Sequence, residues 1–223
     1  MSARERGRPF LVAAPSGTGK TTVCREVMRR DPRLRFSISH TTRAPRAGEV
    51  DGEHYHFVDV ATFRRMVDAG AFLEHAEYAN NLYGTSWASL ETPLAQGYDL
   101  LLEIEVQGAR QVRRKQGRHG LDVCFIFLLP PSRAELERRL RARGTDSEDA
   151  IGKRLAVADV ELEAAEIFDY AVVNDELATA VEDVLAIVGA VREGRAAAIA
   201  ERFGRERVVE RWRRTAEEGA LGV

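Results

Sequence analysis

Two stretches of this chain hold side chains whose types and spacing suit phosphate chemistry. In "LVAAPSGTGKTT" the run Gly17-Thr18-Gly19-Lys20-Thr21 stands between an apolar segment and an amphipathic one. Glycines let consecutive backbone N–H groups curl around an anion, and a helix start behind them adds a favourable dipole. In a loop of this kind Ala14, Pro15, Ser16, Gly17, Thr18, Gly19, Lys20, Thr21 and Thr22 surround a nucleoside triphosphate. Lys20 reaches the terminal phosphates and the Thr21 hydroxyl serves Mg²⁺. The strict pattern G-x-x-x-x-G-K-[ST] asks for glycine at 14, where the chain has Ala14; a small side chain at a strand's end suffices there.

The second stretch is "SHTTRAPRAGEVDGEHYHF", from Ser39 to Phe57. Its first half has neither helical nor strand period, so its charges are not supporting a helix face. Arg43 and Arg46 flank Pro45, with Gly48 and Tyr55 following. Guanidinium forks bind phosphate oxygens bidentately and a tyrosine hydroxyl adds a donor. Taken alone, the same composition also suits a solvated loop with ordinary surface arginines.

Short apolar runs alternate with longer amphipathic ones, which predicts a parallel sheet wrapped by helices, an α/β fold of the phosphate-loop NTPase type. Strands are expected at 9–14, 35–40, 98–106, 123–129 and 170–174. Helices are expected from Gly19 to Asp31, over 108–117, from Ser132 to Gly144 with a Ser132/Glu135 capping box, and from Ser147 to about Phe168. One long Ala/Arg/Glu helix fills the remainder. Between 37 and 90 the rhythm changes: "YHFVDV" and "AFLEHAEYA" read as strands of a small mixed subdomain, with a short helix between them. Phe72 and Trp87 read as core.

The elements thus set out belong to a chain of 223 residues, 44% hydrophobic and 30% charged, which bounds the answer to one globular domain with insertions. Thirty-three basic residues against 35 acidic ones argue against a whole-surface nucleic-acid or membrane partner. The longest apolar run, "VCFIFLL", is too short to span a bilayer. Cys24 and Cys124 stand in no metal or redox spacing and read as buried hydrophobes of a reducing compartment, so a cytoplasmic location is expected. His54 and His56 have no matching third metal ligand.

The run "TTRAPRAGEVDGEHYHFV" resembles the guanylate kinase signature along its full length. "APSGTGKT", "NNLYGTS", "LLEIEVQG", "RRLRARGTDSEDAIGKRL" and "VVND" follow the same family in the same order. The resemblance implies ATP-dependent phosphorylation of GMP to GDP with Mg²⁺. It places Arg43, Arg46, Tyr55 and Tyr83 on the GMP phosphate, and Ser39, Glu74, Thr85 and Glu105 around guanine. Asn174 falls where the family contacts adenine, and it also suits a turn before Asp175. Glu103 ends an apolar strand, where a carboxylate holds either a water of the Mg²⁺ shell or a purely structural place. Arg139, Arg143 and Arg154 are implied to close over the triphosphate from a helical lid.

The implied organisation is a domain over 1–190. Its core covers about 8–36, 91–133 and 169–190, the GMP-binding subdomain about 37–90, and the lid about 134–168. Residues 191–223 form a helical extension of no legible role, and a homo-oligomer stays open as an assembly. The chemistry suits guanine: a carboxylate such as Glu74 accepts from N1–H and the 2-amino group, while a hydroxyl such as Ser39 donates to O6. Adenine reverses the pattern and leaves polar groups unpaired. Two other readings keep the fold: a non-catalytic module that binds partner proteins, and a kinase for another small phosphorylated metabolite.

Overall fold

A computed structural model describes residues 6–78, 80–117, 120–142 and 147–220, with side chains described as far as 214 and not at Tyr78. Its larger sheet has the strand order β2-β7-β1-β8-β9, and its smaller one β4-β3-β6-β5. These are β1 Pro9–Ala13, β2 Leu34–Phe36, β3 His40–Thr41, β4 His56–Phe57, β5 Phe72–Tyr78, β6 Asn81–Ser86, β7 Asp99–Glu103, β8 Cys124–Leu129 and β9 Tyr170–Val173. The chain divides into two compact units. One comprises Met1–Pro9, Arg33–Leu102 and Gln107–Val123; the other comprises Phe10–Pro32, Glu103–Val106 and Cys124–Val223.

In the first unit β2 pairs parallel with β7, Leu34 opposite Asp99 and Phe36 opposite Leu101. The smaller sheet is built around the antiparallel β5–β6 hairpin, with Glu74 opposite Thr85. The helix α2, Val60–Asp68, starts on Asp59, whose side chain accepts the Thr62 N–H at 2.6 Å. Its Phe63 is fully buried and stacks on Phe72 with ring centroids 4.5 Å apart. Ser86 caps α3, Trp87–Ala95, which runs through Pro93. The helix α4, Val106–Lys115, holds the outer edge of β5. Gln111 accepts the His75 N–H at 3.2 Å and donates to its carbonyl at 2.7 Å, as a neighbouring strand would. Lys115 Nζ donates to the Phe72 and Leu73 carbonyls at 3.0 and 2.7 Å. Glu74 is thereby fixed between two tied residues.

In the second unit β1, β8 and β9 pair parallel, and β1 and β8 are buried along their whole lengths. Strands covered on both faces need continuous apolar runs, which "PFLVA" and "CFIFLL" supply. Phe127 stacks on Phe168 at 4.6 Å and Phe125 meets it edge-on at 6.2 Å. The helix α1, Lys20–Arg30, packs on α7, Leu177–Arg192, and a half-buried ion pair at 2.7 Å joins Asp31 to Arg192. The hairpin of α5, Arg133–Ala142, and α6, Glu148–Glu163, shares a small core of Leu136, Leu140, Ile151, Leu155 and Ala158. A 3₁₀ turn, Ala164–Ile167, returns the chain to β9. After α7 come α8, Ala196–Phe203, and α9, Arg205–Ala220. At the bend between them Gly204 forms an isolated antiparallel bridge to Tyr170 of β9.

Several expected elements differ. The strand expected over 35–40 is divided between β2 and β3, which lie in different sheets. The strand expected over 98–106 stops at Glu103, and Val106 already opens α4. "YHFVDV" contributes only the two residues of β4, because Asp59 begins a helix instead. β6 and α3 were not anticipated. The single C-terminal helix is three, broken at Gly194, whose φ is 69°, and at Gly204, where a Cβ would lie 2.4 Å from the Ala200 carbonyl oxygen. The Ser132/Glu135 box is half made: Ser132 Oγ accepts the Glu135 N–H at 3.1 Å, while the Glu135 carboxylate binds Arg138 and Arg139. Phe72 is core, and Trp87 is only half-buried.

Candidate active site

The second unit assembles the phosphate loop. Ala14 is buried at the end of β1 and the Pro15 carbonyl accepts the Thr18 N–H at 3.1 Å. Gly17 and Gly19 have φ of 98° and 95°, in the left-handed region that glycine tolerates. Gly17 also lies under the α5–α6 hairpin, where a Cβ would stand 2.8 Å from a Leu140 methyl. Gly19 is the N-cap of α1 and offers no side-chain cap, while the Thr22 N–H turns back to its carbonyl at 3.1 Å. An α-helix that begins this way presents its dipole and leading N–H groups to an anion.

Lys20 Nζ donates to the Ile104 carbonyl at 3.0 Å and to Glu105 Oε1 at 2.8 Å. Glu105, assigned by resemblance to guanine, thus has its carboxylate on the loop lysine. The Thr21 hydroxyl donates to Glu103 Oε1, joining the two residues expected to serve Mg²⁺. Asn174, expected near adenine, is buried, and its Nδ2 donates to the Thr18 carbonyl at 2.7 Å. Arg139 reaches the same place: it donates to the Asn174 carbonyl at 3.0 Å and to the Thr18 carbonyl at 3.4 Å, with Nε on Glu135 at 2.7 Å. Arg154 lies half-buried on α6. Arg143 falls outside the described residues.

In the first unit Ser39, Glu74 and Thr85 form one connected set. Ser39 Oγ lies 3.2 Å from Thr85 Oγ1, and Glu74 Oε1 accepts both the Thr85 hydroxyl at 2.7 Å and its N–H at 3.0 Å. Glu74 is 7% exposed and Thr85 1%, so a carboxylate is held away from bulk water by a hydroxyl and an amide. Nearby in sequence, Arg43 makes a two-pronged pair with Glu49, Nη1 and Nη2 at 2.9 and 2.8 Å. Tyr83 helps to hold the charge on the same guanidinium, which stands 5.4 Å from the Tyr55 ring centre. Tyr55 and Tyr83 are 6.1 Å apart edge to face. Arg46 is exposed; its backbone N–H donates to Glu49 Oε2 at 2.7 Å.

Sequence reasoning missed two carboxylates. Glu49 ties the Arg43 fork and the Arg46 backbone together, and Arg43 holds its carboxyl down to about 2. An acid three residues past an arginine pair was the available signal. The Ser16 N–H of the phosphate loop favours the charged form of Glu161 of α6, yet burial, with Glu105 adding repulsion, pushes its pKa up to about 7. Its Oε2 is buried without a partner. Nothing in its local sequence marks it. His54 and His56 do not form a pair: His54 Nδ1 accepts the Val50 N–H at 3.1 Å, while His56 meets the His40 ring at 4.7 Å. Among the described residues no cluster of three metal-ligating side chains occurs, and no helix is long and apolar enough to cross a membrane.

The family profile described as guanylate kinase matches residues 6–191. The chain is 50% identical over 186 residues to a guanylate kinase of Aromatoleum aromaticum, covering 83% of this chain and 89% of that protein. To one of Thermus thermophilus it is 54% identical over 187 residues, covering 84% and 83%. Among solved structures, the crystal structure of guanylate kinase from Anaplasma phagocytophilum superposes with a TM-score of 0.66 at 31% identity, covering 89% of this chain and 96% of that one. With the signature carried from the phosphate loop to Asn174, this chain belongs to the guanylate kinase family.

Proposed function

We infer that the protein is an enzyme transferring the γ-phosphoryl group of ATP to GMP, giving ADP and GDP. The observation that carries the choice of acceptor is the Ser39–Thr85–Glu74 set, with Glu74 and Thr85 buried, in the same unit as the Arg43–Tyr83–Tyr55 group. Guanine offers two adjacent donors and one acceptor on its Watson–Crick edge, and this set offers a carboxylate and hydroxyls. The arginine and tyrosines suit a phosphate monoester. Adenine in the same place would set its N1 acceptor against the carboxylate and its 6-amino group against a donating hydroxyl, a mismatch that can discriminate by about ten-thousand-fold.

In the reaction an oxygen of the GMP phosphate bonds to the γ-phosphorus, and the bond to the β,γ-bridging oxygen breaks. The attacking oxygen is already anionic, so no general base is needed, and the protein's task is alignment and charge neutralisation. Lys20 leaves the Glu105 carboxylate for the triphosphate. The loop from Ala14 to Thr22 binds the phosphates, Asn174 borders the donor base, and Arg139 with Arg143 and Arg154 neutralises charge from the lid. The Thr21 hydroxyl and the Glu103 carboxylate are hard oxygen donors already in contact, which fits Mg²⁺. Bound there, the ion would offset charge on the triphosphate. Cytoplasmic nucleotide pools supply both substrates, and two buried cysteines agree with a reducing compartment.

A coupled assay of ADP formation with ATP and a panel of GMP, AMP and sugar phosphates tests the reading. GMP alone should turn over. Lys20→Ala should lose turnover while GMP binding by calorimetry stays measurable. No ADP with any acceptor would favour a partner-binding module, and turnover with a different monophosphate would replace the guanine assignment.

A further inference from the structure

Two helices, α8 and α9, follow the family match, which ends at residue 191. The last of them, α9, touches the α5–α6 hairpin at both of its feet. At the entry, Trp212 Nε1 donates to the Pro130 carbonyl at 2.6 Å, two residues before the Ser132 that caps α5. At the exit, Arg205 Nη1 donates to the Glu166 carbonyl at 2.5 Å, inside the 3₁₀ turn that follows α6. The Arg205 N–H adds a bond to the Asp169 carbonyl at 3.3 Å. Helix α9 is itself seated, with Val208 5% exposed and Phe203 just before it 4% exposed. Both contacts are side chain to main chain, so they fix where the hairpin's ends lie, whatever side chains the hairpin carries.

The hairpin in turn bears on the phosphate loop. Leu136 and Leu140 would lie 3.0 and 2.8 Å from a Cβ at Gly17, Arg139 donates to the Thr18 carbonyl, and the Glu161 carboxylate is near enough to Ser16 to feel its N–H. A shift of the hairpin by a few tenths of an ångström would therefore be felt at three consecutive loop residues. A close-packed interior transmits such strain instead of absorbing it.

We propose that Trp212 and Arg205 are positioning residues for the triphosphate site, with α9 bracing both ends of the hairpin that shapes the phosphate loop. The proposal rests on the phosphate loop being the ATP site. It assigns the C-terminal extension a part in donor binding and none in acceptor binding.

The test uses the full chain with Trp212→Phe, which keeps the ring and removes the N–H, and Arg205→Met, which keeps length and removes the guanidinium. Arg207→Met serves as a control, since that side chain is exposed and pairs loosely with Glu201 at 3.7 Å. Calorimetry with MgATP, and separately with GMP, reads affinity; hydrogen exchange reads the backbone of α5 and α6. Each test variant should bind MgATP about three- to tenfold more weakly, the range for one lost hydrogen bond. GMP affinity should stay within twofold, and exchange should quicken in α5 and α6 more than in α1. Arg205→Lys, which restores a donor, should recover most of the affinity. MgATP affinity within twofold of the parent in both variants would overturn the proposal, as would equal losses for MgATP and GMP, which report a general loss of folding. If the parent binds MgATP yet forms no ADP with GMP, the kinase reading fails while the brace is still decided.

Discussion

Glu161 makes the sharpest prediction. Its carboxyl rises from 4.5 to about 7 because it is sheltered beside the phosphate loop with Glu105 near it. Between those values the folded chain keeps a proton that the unfolded chain has released. Stability therefore falls as pH climbs from 4.5 to 7 and is flat with respect to this group above that. At about 1.4 kcal/mol per tenfold the shift corresponds to roughly 3 kcal/mol. The side chain is only half-buried and water screens it, so about 1–2 kcal/mol is the expected effect. Glu161→Gln removes the titration and keeps the side chain's size and a carbonyl oxygen in the carboxylate's place. Urea unfolding of both proteins without nucleotide, at pH 5, 6 and 7.5, should show glutamine gaining about 1–2 kcal/mol on glutamate across that range. Glu26, Glu49 and Glu135, held down to about 2 by arginines, titrate below this window and cancel in the difference. A constant offset between the two proteins, independent of pH, would refute the reasoning, because it would mean that Glu161 carries its charge in the folded state as readily as in water.

Glu74→Gln should weaken GMP relative to AMP by ~1–3 kcal/mol, since an amide N–H then faces guanine's donors; an unchanged preference in competition binding would show that the base is read elsewhere. Glu49→Gln should raise the KM for GMP about three- to tenfold with little effect on ATP, because the Arg43 fork loses its two-pronged partner; equal effects on both substrates would count against it. Phe127→Ala should cost about 3–5 kcal/mol in urea unfolding, as the ring is fully buried against Phe168, and a loss under about 1 kcal/mol would mean that the core closes over the gap.

The legible parts of the chain were those where local chemistry and tertiary role coincide. The phosphate loop could be read because glycine spacing, strand and helix all sit within a dozen residues. β1 and β8 could be read because strands buried on both faces must be apolar throughout. β6 was missed because "NNLYGTS" carries no alternation; its pairing with β5 decides it. α3 was missed because Pro93 reads as a stop, although the helix continues through it. The broken C-terminal helix was signalled by Gly194 and Gly204, which the surrounding alanines and arginines outweighed. Within the site, Ser39, Glu74 and Thr85 were named by resemblance and meet by hydrogen bonds across 46 and 11 positions, a proximity that no local pattern encodes. Glu161 was invisible for the same reason: its importance comes from a loop 145 positions away in the chain, and a glutamate on an amphipathic helix ordinarily faces solvent.

The bridge between Gly204 and Tyr170 has a consequence for the molecule's behaviour in a crowded solution. β9 is the outermost strand of its sheet, and an outermost strand offers unpaired amides and carbonyls to any passing extended segment. A bare main chain, without a side chain to hold it off, occupies one of those positions from within the same polypeptide. A chain ending before Gly204 would lose that guard, and the damage would show first as sticking between copies on storage, ahead of any loss of turnover.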